Sequence, residues 1–136
     1  MASSAAFLSA PRTGAYNASK AAIVSLSETL RIELLGHGIG VSVACPGYFP
    51  SNLLESMDEE EGKLKDRVKG LMARSEVSAA DIAAGILDAV EKNRFWIHPH
   101  RQERRLWYLK RFSPELLFRV VGRAIRKSFG SPPNAG

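Results

Sequence analysis

The sequence predicts a layered α/β fold with parallel strands. Segments with helical apolar periodicity alternate with two short runs rich in β-branched and aromatic residues, Val41–Ala44 and Phe95–Ile97. Each run is followed by a turn that contains proline. Strands that alternate with helices form parallel sheets in α/β domains. Because sheets usually have roughly four to six strands, we expect the chain to pair with another unit or to form part of a larger domain.

Composition indicates a folded protein without a membrane span. The 136 residues are 45% hydrophobic and 24% charged, with a mean hydropathy of −0.13, which excludes wholesale disorder. No stretch approaches the ~18 apolar residues of a transmembrane helix, and the N-terminus lacks the basic region of a secretory signal. The single cysteine, Cys45, excludes an internal disulfide and a multi-cysteine zinc site. We therefore expect a cytoplasmic protein.

The positive charge is concentrated in the last third of the chain. The formal net charge is +5. Residues 1–90 hold 8 basic and 11 acidic residues, whereas residues 91–136 hold 11 basic and 3 acidic residues. A nearly neutral region is thus followed by a strongly basic one.

The first predicted helix begins near Tyr16 and ends at three glycines, Gly36, Gly38 and Gly40. Helical spacing predicts a buried face formed by Ile23, Leu26, Leu30 and Leu34. After the strand at Val41–Ala44, residues 48–76 form a long polar excursion with one or two short helices. This excursion carries the acidic run Asp58–Glu61.

Two further helices have clear start signals. Ser78 is the predicted N-cap of a helix with Asp81 in its first turn. Its apolar stripe consists of Ile82, Ile86, Leu87 and Val90. Ser113 and Pro114 predict the start of a terminal helix, because proline favours the first helical position. Residues 131–136 are expected to form a frayed tail.

Tyr16 and Lys20 carry the clearest chemical signal in the chain. They are four residues apart at the start of a helix, so both project from one face. A tyrosine hydroxyl is a poor base at neutral pH because its ordinary pKa is about 10, and a nearby ammonium group favours the phenolate. Such a pair can exchange a proton with an alcohol or carbonyl oxygen. The hydroxyl of Ser3, thirteen residues before Tyr16, could hold the same oxygen.

These residues resemble the short-chain dehydrogenase/reductase family, which has a Tyr-x-x-x-Lys motif on a helix and a serine upstream. Residues 16–22 match one of the commonest wordings of that motif, and residues 26–31 continue the helix as in the family. Residues 40–43 then lead to residues 46–51, which resemble the family's Pro-Gly-x-x-x-Thr turn beside the nicotinamide. The resemblance covers residues 1 to about 100, and the ordered series is far more specific than a lone Tyr-x-x-x-Lys.

The resemblance implies an oxidoreductase that interconverts an alcohol and a carbonyl with NAD or NADP. Tyr16 would act as the catalytic acid–base, Lys20 would favour its ionised form and bind the nicotinamide ribose, and Ser3 would orient the substrate oxygen. Besides Tyr16 and Lys20, the cofactor would contact the turn residues Pro46, Gly47, Tyr48 and Ser51, the last in place of the usual threonine. Residues 48–76 would form the substrate lid, in which Leu53, Leu54 and Met57 indicate an apolar substrate. No metal is implied.

The family's glycine-rich phosphate loop has no counterpart in this sequence. The resemblance therefore implies the C-terminal half of a Rossmann-like, doubly wound parallel sheet over residues 1–100. A basic aromatic and amphipathic helical extension and tail follow over residues 101–136. Family members commonly pair through the helix that bears the tyrosine and lysine, so the intact protein is expected to be a homo-oligomer.

The basic extension leaves several partners open. Its terminal helix has an apolar face formed by Leu116, Leu117, Val120, Val121, Ala124 and Ile125, opposite Arg119, Arg123 and Arg126. Packing on its own domain is the simplest interpretation. Contact of residues 101–127 with an anionic membrane surface is the alternative, whereas no recognition motif supports nucleic-acid binding. A contrasting hypothesis for the whole chain is a non-catalytic half-Rossmann remnant that acts as an interaction or membrane-surface module.

Three other features are expected to have structural roles. Cys45 precedes a turn and is interpreted as a buried thiol rather than a nucleophile. His98 and His100 flank a proline without further metal ligands, so a loop role is favoured. The Asp58–Glu61 run lacks the alternating spacing of a calcium site and is expected to be a solvated face of the lid.

Overall fold

The computed structural model describes residues 1–57 and 62–129. In chain order, the described elements are α1 (Gly14–Glu33), β1 (Val43–Ala44), α2 (Gly62–Ala73), α3 (Ala79–Glu91), β2 (Trp96–Ile97), α4 (Arg101–Phe112) and α5 (Pro114–Phe129). Short 3-10 turns lie at Ser4–Ala6, Leu35–His37 and Asn52–Ser56. The acidic run at residues 58–61 and the predicted tail at residues 131–136 lie outside the described residues.

The two strands pair in parallel, as the alternation of helices and strands predicts. Val43 lies opposite Trp96, and Ala44 lies opposite Ile97. The amide of Val43 donates to the carbonyl of Phe95 at 2.7 Å, and the amide of Cys45 donates to the carbonyl of Ile97 at 2.8 Å. The strands are shorter than the predicted apolar runs, but their direction confirms the parallel α/β architecture.

The N-terminal residues form a third parallel segment on the other side of β1. The amide of Ala2 donates to the carbonyl of Ala44 at 2.9 Å, and the amide of Ser4 donates to the carbonyl of Pro46 at 2.8 Å. A full parallel ladder would also need a return bond from the amide of residue 46. Pro46 has no N–H. The N-terminal segment therefore donates hydrogen bonds to β1 and its flanking residue but receives none from Pro46.

The alternation of side chains along β1 separates the core into two layers. Val43 and Cys45 face one side of the sheet, where they pack with Ala2 and Phe7. Ile23 and Val24 of α1 and Trp107 of α4 cover this side, together with Ala6, Leu8, Phe95 and Trp96. Ala44 faces the other side, where it packs with Ala89 of α3 and Ile97. The strand period of two thus places α1 and α4 on one face and α3 on the other.

The predicted buried face of α1 is wrong in part. Ile23 and Leu34 are half-buried, but Leu26 is 60% exposed and Leu30 is also exposed. Arg31 takes an inward position instead, where its guanidinium donates to the carbonyl of Val41 at 2.7 Å. The guanidinium also lies 5.3 Å from the ring centroid of Phe95. A charged residue therefore connects the end of α1 to the starts of both strands.

The stripe predicted on α3 is also partly wrong. Ile82 is buried and Ile86 is half-buried, but Leu87 and Val90 are exposed. Ala89 occupies the buried position over the sheet instead. A small side chain there faces Ala44, another small residue, so the helix can lie close to the strand.

The predicted start signals of the later helices are confirmed. The side chain of Ser78 accepts from the amide of Asp81 at 3.2 Å, and the carboxylate of Asp81 accepts from the amide of Ser78 at 3.0 Å, which forms a capping box. Pro114 is the first residue of α5. The long excursion contains a 3-10 turn and α2, as expected. Within the described ranges, no helix combines the length and apolar character that a bilayer span requires.

The capping box at Ser78 is expected to stabilise α3. Ser78→Ala removes one acceptor and frees the amide of Asp81, so we expect the free energy of unfolding to fall by ~1 kcal/mol. Urea denaturation followed by circular dichroism measures this change. Ser25→Ala, at an exposed position within α1, is the matched control and should cost nothing. Equal stability of the two variants would show that the cap does not stabilise α3.

Candidate active site

The carboxyl ends of the three parallel segments meet at one edge of the sheet. Ser3 and Ser4 end the N-terminal segment, Pro46 and Gly47 follow β1, and His98 begins the turn after β2. Ligands of open α/β sheets bind outside this edge. Among the predicted site residues, Ser3, Pro46 and Gly47 therefore lie at this edge of the sheet.

Ser3 is held by its own turn. Its hydroxyl oxygen accepts a hydrogen bond from the amide of Ala5 at 3.2 Å at the start of the Ser4–Ala6 turn. That bond uses a lone pair of the oxygen, so the O–H can still donate to another acceptor. The backbone amide of Ser3 lies at the sulfur of Cys45. The turn also packs against α1, the helix that carries Tyr16.

Cys45 is fully buried and serves the core. Burial raises the pKa of its thiol to about 11, while the charge of the N-terminal amine and the Ser3 amide act in the opposite direction. The group is therefore a neutral thiol at physiological pH. This environment fits the structural role and does not favour a nucleophile.

Tyr16 and Lys20 lie on one face of α1, as their spacing predicts. The ammonium nitrogen of Lys20 is 5.3 Å from the ring centroid of Tyr16 and lies over the ring. Tyr16 is 42% exposed, and Lys20 is half-buried. The positive charge is thus fixed beside a tyrosine that an outside molecule can reach.

Tyr48 follows Gly47 in the turn after β1, and both Tyr16 and Arg67 influence its hydroxyl. Burial is the main cause that raises the pKa of Tyr48 above its ordinary value of 10. The neighbouring Tyr16 acts in the same direction, and the charge of Arg67 on α2 opposes it. The hydroxyl of Tyr48 thus lies within electrostatic range of Tyr16 on α1 and of Arg67 on α2.

The remaining predicted site residues lie along the excursion. Ser51 is exposed and precedes the Asn52–Ser56 turn. Leu53 is exposed, whereas Leu54 and Met57 are half-buried. The ammonium of Lys65 on α2 donates to the carbonyl of Met57 at 3.3 Å, which connects that helix to the turn. The three apolar residues are thus close in sequence to the site without forming one buried cluster.

Known proteins are similar to this chain over the region that contains the predicted site residues. A family model described as short chain dehydrogenase matches residues 1–62. The 11-beta-hydroxysteroid dehydrogenase 1A of Arabidopsis thaliana is 53% identical over 55 residues, which cover 40% of this chain and 16% of that protein. Dehydrogenase/reductase SDR family member 7B of Danio rerio is 32% identical over 127 residues, which cover 90% of this chain and 40% of that protein.

A solved structure supports the same relationship. A short-chain dehydrogenase/reductase from Burkholderia phymatum in complex with NAD superimposes with a TM-score of 0.73 at 28% identity, and the match covers 85% of this chain and 46% of that one. The chain belongs to the short-chain dehydrogenase/reductase family. It spans less than half the length of the relatives described here.

The sequence does not predict three residues that contact the turns of the candidate site. All three lie at the start of α4 or within it. The amide of Gly47 donates to Nδ1 of His100 at 3.1 Å. The side chain of Glu103 lies over Gly47, where a Cβ would clash with its carboxylate. The ammonium of Lys110 donates to the carbonyl of Phe7 at 3.0 Å. These residues lie 53 or more positions from their partners, so no local pattern could have identified them.

His98 lies in an aromatic cluster beside the site. Its ring stacks on Trp96 with centroids 5.6 Å apart, meets the edge of Phe7 at 5.6 Å and lies 5.0 Å from Trp107. Neither ring nitrogen has a hydrogen-bond partner among the described residues. Burial lowers the pKa of His98 to about 4, and the charge of Arg104 acts in the same direction. His98 is therefore a neutral ring that packs as an aromatic residue.

The described residues contain no cluster of three or more histidine, cysteine or acidic side chains that could hold a metal ion. His98 and His100 instead have the separate surroundings described above, one in an aromatic cluster and one at the amide of Gly47. The two histidines thus belong to the packing of the loop after β2.

The low pKa of His98 predicts a dependence of stability on pH. The unfolded chain binds a proton at His98 below about pH 6.5, whereas the folded chain binds it only near pH 4. The stabilisation by neutral His98 is therefore complete above pH 6.5 and is lost as the pH falls to about 4. Full burial would make this shift worth ~3 kcal/mol, and partial exposure reduces the expected loss to on the order of 1 kcal/mol.

Urea denaturation of wild type and His98→Phe between pH 7 and pH 4 tests this prediction, because phenylalanine keeps the ring and removes the proton site. We expect wild type to lose more stability over this range than the variant. His37→Gln, at an exposed position, is the control and should follow wild type. Parallel curves for wild type and His98→Phe would contradict the prediction.

Proposed function

We propose that the chain carries the catalytic and nicotinamide-side part of an NAD- or NADP-dependent oxidoreductase that interconverts an alcohol and a carbonyl. This proposal is supported by the position of Ser3 and the Pro46–Gly47 turn at the carboxyl edge of the sheet, and by the packing of the Ser4–Ala6 turn on α1, the helix on which Tyr16 and Lys20 share one face. In this proposal, residues 1–100 form the C-terminal half of the catalytic domain. Residues 101–136 form the basic extension.

The donor groups at this edge suit a nicotinamide nucleotide. Lys20 is half-buried beside an exposed tyrosine ring, and its ammonium has three N–H donors for ribose hydroxyls. The hydroxyls of Tyr48 and Ser51 lie on the turn that follows β1. The solved relative from Burkholderia phymatum binds NAD, which supports the same class of cofactor here. Pro46, Gly47, Tyr48 and Ser51 would line the nicotinamide side.

Proton transfer in this proposal falls to Tyr16. The bound dinucleotide would supply or accept the hydride at the carbon of the reacting group. Tyr16 would donate a proton to the carbonyl oxygen during reduction and accept one from the alcohol during oxidation. Lys20 would stabilise the phenolate through its fixed positive charge. In this proposal Tyr48 serves as a neutral hydrogen-bonding group, because burial raises the pKa of its hydroxyl above the ordinary value.

Ser3 would orient the substrate oxygen. Its hydroxyl is fixed by the amide of Ala5 and keeps its own proton to donate. A hydroxyl held in this way can bond the oxygen that exchanges its proton with Tyr16. In this arrangement Ser3 would orient the reacting carbonyl, and Tyr16 alone would exchange the proton.

The substrate is proposed to be apolar. Leu53, Leu54 and Met57 lie on the excursion beside the Pro46–Tyr48 turn. Several relatives are named 11-beta-hydroxysteroid dehydrogenases, including proteins of Arabidopsis thaliana and Arachis hypogaea. A hydroxysteroid and its ketone are therefore the first substrates to test.

We also propose that the protein is a homo-oligomer that pairs through α1. Leu26 and Leu30 are exposed on α1, and no residue of that helix is fully buried. Exposed apolar residues that lie one turn apart favour helix–helix contact between subunits. This contact would cover a face that the sheet of one chain does not reach.

The assignment of Tyr16 predicts the result of a single substitution. Tyr16→Phe removes the hydroxyl and keeps the ring beneath Lys20, so kcat should fall by ~100-fold or more while the dinucleotide Kd changes little. Turnover of a hydroxysteroid with NAD⁺ or NADP⁺ and binding calorimetry with each dinucleotide measure the two effects. Tyr108→Phe, an exposed tyrosine on α4, is the matched control. Retained turnover in Tyr16→Phe would refute the catalytic assignment, and absence of dinucleotide binding by wild type would refute the enzyme proposal.

A second candidate function is contact with an anionic membrane surface through α4 and α5. Phe112 is 85% exposed at the end of α4, and Phe118 is 62% exposed on α5. The same two helices also carry exposed arginines, Arg101, Arg104, Arg105, Arg111, Arg119, Arg123 and Arg126. Exposed aromatic residues within a basic surface favour binding to acidic lipid. Leu117 is buried, so α5 also packs on its own chain.

This surface predicts lipid-selective binding. The double variant Phe112→Ser/Phe118→Ser should weaken the binding to phosphatidylserine vesicles, measured by flotation, by ~100-fold or more, because each of the two rings would lose ~1.5 kcal/mol or more of apolar burial. Neutral phosphatidylcholine vesicles should bind wild type weakly. Leu87→Ser, at an exposed position on α3, is the control and should float like wild type. Equal flotation of the double variant and wild type would remove the membrane candidate.

A further inference from the structure

We propose that His100 is a positioning residue, which holds the Pro46–Gly47 turn in the place that the nicotinamide side of the site requires. The expected effect on dinucleotide binding rests on the proposed function, whereas the role of His100 in holding the turn rests on its hydrogen bond to Gly47. His100 is the N-cap residue of α4 and is 9% exposed. It lies beyond residues 1–62, which the family model matches.

The side chain of His100 continues the hydrogen-bond ladder beyond the end of the strands. The amides of Val43 and Cys45 donate to carbonyls of β2 and its flanking residue. Because successive residues of a strand alternate, the next amide that faces β2 is that of Gly47. Its acceptor is Nδ1 of His100 at 3.1 Å rather than a backbone carbonyl. The imidazole of His100 therefore holds Gly47, the residue that follows the buried Pro46.

The bond also fixes the tautomer of His100. Nδ1 accepts a hydrogen bond from the amide of Gly47, so this nitrogen carries no proton of its own, and the ring proton lies on Nε2. Nε2 is buried and has no partner among the described residues. The ring thus acts as an acceptor for the turn, and the backbone supports it because the carbonyl of His100 accepts from the amide of Arg104 at 3.2 Å.

The rest of α4 attaches this histidine to the segment that holds Ser3. The ammonium of Lys110 donates to the carbonyl of Phe7, and Trp107 packs against the core that contains Phe7. Glu103 lies over Gly47 on the same helix. One helix therefore contacts both the turn that follows Ser3 and the turn that follows β1. Together with the bond from the amide of Ser4 to the carbonyl of Pro46, α4 therefore supports both turns.

The consequence for binding follows from the position of the turn. Gly47 lies between Pro46 and Tyr48, which are proposed to line the nicotinamide side. Without an acceptor, the half-buried amide of Gly47 loses its partner, and a displacement of the turn is favoured because it exposes that amide to water. We therefore expect loss of the acceptor to weaken dinucleotide binding about tenfold, which is the effect of one hydrogen bond.

Three variants of His100 separate positioning from packing. Asparagine has an acceptor oxygen close to the place of Nδ1, glutamine has one close to the place of Nε2, and leucine has none. Hydrogen exchange of the Gly47 amide and the ¹⁵N–¹⁵N coupling across the hydrogen bond report the turn without any turnover. We expect a coupling between Gly47 N and His100 Nδ1 in wild type. Exchange should be slow in wild type and His100→Asn and at least about tenfold faster in His100→Leu.

Calorimetry with NADH and NADPH supplies the second readout. The Kd should rise about tenfold in His100→Leu and stay within about threefold of wild type in His100→Asn. His37→Leu, at an exposed histidine, is the control and should change neither readout. If His100→Leu does not fold, His100→Asn and His100→Gln are compared instead. Slow exchange of the Gly47 amide and a Kd near that of wild type are then expected only for His100→Asn.

The outcomes distinguish this inference from the proposed function. Normal dinucleotide binding by wild type with an unchanged Kd in the variant that lacks the acceptor would overturn the role of His100 alone. Unchanged exchange of the Gly47 amide in that variant would overturn it as well. If wild type binds neither dinucleotide, the proposed function fails, and the role of His100 in cofactor binding fails with it. The exchange and coupling data would then still report whether His100 holds the turn.

Discussion

The parallel register of three backbone segments determines where every group of the site lies. Bonds from Ala2 to Ala44 and from Val43 to Phe95 align the N-terminal segment, β1 and β2 in one direction. Since parallel segments end at the same edge, Ser3 and Gly47 meet the loop after β2 there. The proline after β1 removes the return bond of the ladder, so the chain leaves the sheet at this point and turns towards Tyr48.

The helix α4 joins the basic C-terminal helices to the packing of the sheet. Trp107 and His98 pack in one aromatic cluster, with ring centroids 5.0 Å apart, and Lys110 bonds the turn after Ser3. The extension thus has two separate surfaces. The inner surface of α4 supports the site, whereas exposed groups such as Phe112 and Phe118 face outward. The strong positive charge of the last third of the chain therefore serves packing at some positions and remains on the surface at others.

Local features of this chain could be predicted from the sequence, and long-range ones could not. The capping box of Ser78 and the shared face of Tyr16 and Lys20 depend on residues three or four positions apart, so their geometry follows from the helix itself. Periodicity could not show that Arg31 would face the strands while Leu26 remained exposed, because several positions fit the same helical spacing. The bond of His100 to Gly47 spans 53 positions and depends on the turn after β2, which no sequence pattern specifies.

The central claim is that the carboxyl edge of these parallel segments forms a nicotinamide site. The most direct measurement is a titration of the ¹⁵N-labelled chain with nicotinamide mononucleotide, which represents the part of the dinucleotide that this edge would hold. We predict shift changes at the amides of Ser4, Lys20 and Gly47, and none around Arg31 and Asn93, which line a shallow hollow at the opposite edge. Changes confined to that opposite edge, or no change at any amide, would contradict the account.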